Sequence, residues 1–225
     1  MSKSEMSYVV IEFATIQDLC DKRTSKNIIL DTPQITEVAA VKIKNGQIQG
    51  HYHSFVSLEG YDVKEIEFDD DRASTFYADA DYLIGAPALS MVAEQLHEYL
   101  KDSTIVLRSD TVFIRNVFDG FKARAQSLGL SFDNEVVIIS DILAASKLKK
   151  AIEDSGESLE NMNALQLSKF FKGGRGKWTD IFFDYDIIFD PDSEDSLLKG
   201  RDDPLSWALA FSKLFIALTA DDGVA

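Results

Sequence analysis

Ile35-Thr-Glu-Val-Ala-Ala-Val-Lys-Ile43, followed by Lys44-Asn45-Gly46 and then Gln47-Ile-Gln-Gly-His-Tyr-His-Ser-Phe-Val56, is the stretch that decides the fold. Its first part is rich in Val and Ile, residues that suit a pleated, half-buried surface. Asn-Gly accepts the positive φ angles of a tight hairpin turn. Gln47–Val56 alternates polar and apolar residues, the period of a strand with one wet face. The stretch therefore reads as two antiparallel strands joined by a two-residue turn.

Reading outward, Tyr8–Phe13 is β-branched and aromatic and predicts a buried strand before the hairpin. After it, Leu89, Val92, Ala93, Leu96 and Leu100 fall at helical spacing. Thr104–Leu107 is a short buried strand, and Asp110 is placed to cap the helix that Thr111 and Val112 begin. Val117, Phe118, Phe121, Ala125 and Leu128 form one face of that helix, closed by Gly129. Val136–Ile139 predicts a fifth strand, and helices follow at about 141–151 and 164–171. Gly173-Gly174-Arg175-Gly176 reads as a flexible joint. Asp203-Pro204 opens the last helix, with Asp203 as N-cap and Pro204 in the first turn. Strands first and alternating helices later make an α/β fold, a five-stranded mixed sheet flanked by helices. The whole chain, 1–225, reads as one domain with insertions at about 16–33, 57–84 and 172–201.

The bulk properties narrow the function classes. Hydrophobic residues make up 45% of the chain, enough for a sizeable core. No apolar run approaches the roughly 20 residues that span a membrane, and no secretory signal pattern opens the sequence. Cys20 is the single cysteine, so no internal disulfide forms. A cytoplasmic protein without a membrane partner is the expectation. Twenty-three basic and 38 acidic residues give a formal charge of −15, which repels a polyphosphate backbone unless the basic groups are gathered in one place. Runs such as Asp69-Asp70-Asp71 read first as solvated loops.

The order of elements and the local sequence resemble the DnaQ-like 3′–5′ exonucleases of the ribonuclease H-like superfamily, in the branch with a catalytic histidine. Ile35–Val56 carries most of the likeness, with Ile84-Gly85-Ala86-Pro87, Ala164–Phe171 and the final helix. The resemblance implies a ribonuclease H-like fold and a chemistry of two-metal phosphodiester hydrolysis. There, four carboxylates in three motifs hold two divalent ions about 3.5–4 Å apart, and such ions demand oxygen ligands.

Position by position, the motifs are degenerate. The first, Asp-x-Glu at the end of strand one, falls on Glu12-Phe13-Ala14, so one carboxylate is kept, a methylene longer, and the other is gone. The aspartate of the second falls on Phe113. The histidine and aspartate of the third fall on Asp202 and Trp207. Ala, Phe and Trp are the residues that would fill and dry a vacant metal pocket. An active enzyme with relocated ligands would have to draw on Glu12, Asp110, Asp202 and Asp203, with magnesium or manganese.

Other constellations are weak. His51 and His53 share a strand face without a zinc-like set of ligands around them. Lys172, Arg175, Lys177 and Trp178 form the most basic spot and have the composition of a single-strand stacking site, though a connector is the simpler reading. The sequence thus points to a non-catalytic exonuclease-like module that needs no cofactor and binds a protein or a nucleic acid. An active exonuclease and an acidic nucleic-acid mimic are the alternatives.

Overall fold

The computed structural model describes residues 6–16, 34–58, 80–109, 111–155, 178–188 and 203–220. Along the chain these form β1 (Ser7–Ile16), β2 (Gln34–Lys44), β3 (Gln47–Phe55), α1 (Ala80–Leu83), α2 (Leu89–Leu100), β4 (Ser103–Leu107), α3 (Val112–Ser127), β5 (Val136–Ile138), α4 (Ile139–Ser155), α5 (Trp178–Asp184) and α6 (Pro204–Ala220). The strands make one five-stranded sheet in the order β3-β2-β1-β4-β5. β1 pairs antiparallel with β2 and parallel with β4, so the sheet is mixed and β1 lies at its centre.

Side chains alternate across a strand, so β1 feeds two separate cores. Val9 and Ile11 face one side with Val92, Leu96, Leu100, Phe118 and Phe121 of α2 and α3, and Phe13 packs against this cluster. Val10 faces the other side with Ile181 and Phe182 of α5 and Phe211, Leu214 and Leu218 of α6. α6 also sits directly over β2, where Leu205 and Ala208 pack on Ala39 and Val41. Small residues at 39 and 208 allow that close approach.

The hairpin forms as its sequence predicts. Asn45 and Gly46 have φ of 54° and 68°, both left-handed, as a two-residue turn of this kind requires. Lys42 pairs with Gly50 and Ile43 with Ile48, which leaves Gln49 as a bulged residue in β3. A second bulge follows Ala14: Ala14 pairs with Glu37 but Thr15 with Ile35, which skips Thr36. Two expectations change in detail. The N-cap of α3 is Thr111, whose hydroxyl accepts from the Ile114 N–H at 3.4 Å, one residue later than Asp110, which lies outside the described residues. Within the stretch read as an insertion at 172–201, α5 contributes buried Ile181 and Phe182 to the second core. The helix expected at 164–171, the joint at 173–176 and most of the other two insertions lie outside the described residues. None of the described helices is long and apolar enough to cross a membrane.

The turn gives a first prediction. Gly46→Ala should cost about 1–2 kcal/mol, because an L-residue resists left-handed φ. Gly50→Ala, at a position with open space around a Cβ and no left-handed φ, should be neutral or stabilising by about 0.4–1 kcal/mol. Urea midpoints of the two variants check the contrast, and a loss at Gly50 as large as at Gly46 would contradict the turn geometry.

Candidate functional site

The even-numbered residues at the end of β1 point under α6, and this is where the first motif falls. Glu12 pairs with Ala39 of β2, and Ala39 pairs in turn with His53 of β3. In the next row Ala14 pairs with Glu37, and Glu37 with Phe55. Two carboxylates, Glu12 and Glu37, therefore sit diagonally on adjacent strands of one sheet face. Both are buried, Glu12 at 5% exposure and Glu37 at 0%; Ala14, at 2%, offers the site no ligand atom.

Each carboxylate has a basic neighbour on its outer side. The last β1–β4 pair is Val10↔Val106, and two residues further on each strand bring Arg108 beside Glu12. Arg108 Nη1 stands 3.6 Å from Glu12 Oε2, an ion pair too long for a hydrogen bond. Glu12 Oε1 has no hydrogen-bond partner among the described residues. Glu37 Oε1 meets His53 Nε2 at 2.6 Å. The His53 ring stands edge-on to Phe55, whose own ring stacks on Tyr82 at 5.2 Å. Burial pushes the Glu12 carboxyl above the ordinary glutamate value, and the nearby Arg108 charge opposes that rise only in part.

The third motif region is organised by a cap. Asp203 is buried at the start of α6, where Oδ1 accepts from the Ser206 N–H at 2.8 Å and Oδ2 from the Ser206 hydroxyl at 3.0 Å. That is the geometry of an N-cap reaching the third helical residue. Both carboxylate oxygens are thus committed to the helix end. Trp207 stacks against Phe211 at 5.6 Å and tilts against Phe182 at 5.9 Å. Its ring is part of the aromatic cluster between α5 and α6, so it fills space there. Trp178 opens α5 and meets Phe211 edge-on at 4.9 Å, a packing contact for the aromatic of the basic spot.

Of the other positions singled out from sequence, residue 113 lies in the first turn of α3 by its backbone, and its side chain lies outside what the structure describes. Asp110, Asp202, Lys172, Arg175 and Lys177 also lie outside the described residues. Sequence reasoning missed Glu37, His53 and Arg108 as members of this site. The available signal was Glu37 itself, a lone acid on the Ala39–Val41 face of an apolar strand, which burial obliges to find a partner.

The described residues do not fit a pair of divalent ions. Ala14 supplies no oxygen, Asp203 is engaged in capping, and a guanidinium stands beside Glu12. Among the described residues no group of three or more His, Cys, Asp and Glu is gathered to hold a metal.

No protein-family model matches the chain. No curated protein matches it either. Solved structures do. Cell-death related nuclease 4 superposes with a TM-score of 0.57 at 10% identity, over 97% of this chain and 65% of that one. Exonuclease X in complex with 5′ overhanging duplex DNA gives 0.53 at 12%, over 96% and 93%. A 3′-exonuclease that recognises the 3′ end of the histone mRNA stem-loop gives 0.51 at 11%, over 96% and 83%. This chain spans 65% of the length of the first of these. What is shared is the fold, a ribonuclease H-like mixed sheet flanked by helices.

Two predictions follow from the geometry. Asp203→Ala should destabilise the protein by about 1–2 kcal/mol through loss of the cap, and Asp203→Asn by less; chemical denaturation of both reads the difference. The second concerns pH. A raised pKa means that folded Glu12 keeps its proton to higher pH than the unfolded chain does. Between the ordinary value of 4.5 and the raised one the folded state binds more protons, so stability falls as pH rises through that window. Glu12→Gln removes this titration. The stability of wild type minus that of Glu12→Gln should therefore decline as pH climbs above about 4.5 and then level off. A difference flat across pH would mean that the Glu12 carboxyl is not held in apolar surroundings.

Proposed function

We propose that this chain is a non-catalytic member of the DnaQ-like exonuclease group, a module that keeps the fold and works by binding a partner. The observation that carries the reading is the state of the first motif. Glu12 is buried against Arg108, and the neighbouring ligand position is Ala14. A hydrolase of this group needs its acids free to share two ions. Here the acid at position 12 is already paired with the protein's own cation. Trp207 and Phe113 at the other motif positions offer no metal ligand.

The charge of −15 favours a protein partner over a nucleic acid, since a phosphate backbone would gain little and be repelled over most of the surface. Cytoplasmic localisation and the absence of a cofactor belong to the same reading, as does a single domain over the whole chain.

Incubation with a 5′-labelled single strand and manganese or magnesium tests it. The expected result is no metal-dependent shortening, identical for wild type and Glu12→Gln. Digestion from the 3′ end that disappears in Glu12→Gln would establish an enzyme, because a contaminating nuclease cannot respond to that substitution. Anisotropy with the same strand decides the partner class: no binding at physiological salt is expected, and binding that weakens with added salt would favour nucleic acid.

A further inference from the structure

We propose that Arg108 is the resident cation of this site: fixed at the end of β4, it balances Glu12 as a metal ion would and makes the fold independent of added divalent ions. The inference rests on the non-catalytic reading but concerns a different property, the charge balance of the folded state.

Four ionisable side chains, staggered over two neighbouring rows of the sheet, carry the argument. On one face, His53 of β3, Glu37 of β2, Glu12 of β1 and Arg108 beyond β4 follow one another, basic, acidic, acidic, basic. The two acids are inside and the two basic groups outside. Glu12 is 5% exposed, whereas the Arg108 side chain keeps 25% of its surface. The pair is therefore asymmetric. Removing Glu12 leaves an arginine that water can still reach. Removing Arg108 leaves a carboxylate under α6 with no compensating charge among the described residues. An exposed ion pair contributes almost nothing, but burial of one partner takes this pair out of that class.

Among the described residues this arrangement leaves no place for a dication. An ion placed at Glu12 would meet the guanidinium within a few ångströms, and the motif position next along β1 is the methyl of Ala14. Arg suits the task because its guanidinium stays charged at any working pH and is more weakly hydrated than an ammonium. It can also remain charged while partly buried.

Thermal unfolding of wild type, Arg108→Gln, Arg108→Lys and the double variant Glu12→Gln/Arg108→Gln, each with and without manganese, tests the proposal. Arg108→Gln should unfold several degrees below wild type. Arg108→Lys should recover part of the loss, and the double variant most of it, since the stranded carboxylate is then gone. Manganese should leave the wild-type midpoint unchanged. Should Arg108→Gln fail to fold while the double variant folds, the proposal stands. It falls if Arg108→Gln unfolds with wild type, or if the double variant is no more stable than Arg108→Gln, since Arg108 would then serve something other than Glu12. It also falls if manganese raises the wild-type midpoint. Silence in the nuclease assay with no coupling between the two residues would reject this inference and leave the functional reading in place.

Discussion

The position of β1 at the centre of the sheet is the constraint from which the rest follows. A strand flanked on both sides has no free edge, and its side chains alternate between two covered faces. Odd positions enter the core under α2 and α3, even positions the core under α5 and α6. Whatever occupies positions 12 and 14 is therefore committed to the space beneath α6, whether or not it suits an apolar interior. This commitment delivers a buried glutamate and a methyl group to the same place.

That delivery sets the requirements on the neighbours. Ala39 lies between Glu12 and His53 and is small enough for Leu205 and Ala208 of α6 to sit on β2. The helix closes the site from above, which lowers the local dielectric and raises the carboxyl pKa of Glu12. The start of α6 is in turn fixed by the Asp203 cap on Ser206, and its flank by the stacking of Trp207 with Phe211 and Phe182. The cap and the aromatic cluster are thus the parts that hold the start of α6 over the sheet.

Local signals made most of the fold legible in the sequence. Asn45-Gly46 between two apolar runs specified the hairpin, and Asp203-Pro204 marked the start of α6 because capping and proline geometry act within one turn. Where two adjacent residues can each cap a helix, such signals lose resolution, as at Asp110 and Thr111. The site was legible only along single strands. Glu12 and Ala14 could be read from the spacing of two, but Glu37, His53 and Arg108 come to the site through register. For His53 that register depends on the bulge at Gln49, which no local pattern announces. One slip of a single residue would have turned Glu37 to the opposite face.

Charge conservation ties the retained acid to its surroundings. A site built for two dications needs several carboxylates, and each becomes a liability once the ions are absent, since an uncompensated buried charge costs several kcal/mol. Replacing an acid by alanine or an aromatic ring removes one such liability. Position 12 keeps its carboxylate, so a positive charge must come from the protein. β4 supplies it, because its parallel register with β1 carries residue 108 alongside residue 12. The alanine at position 14 and the arginine at position 108 are therefore two halves of one balance. With a second acid at 14, one guanidinium would be insufficient, and without the arginine, Glu12 would have to be neutral to stay beneath α6.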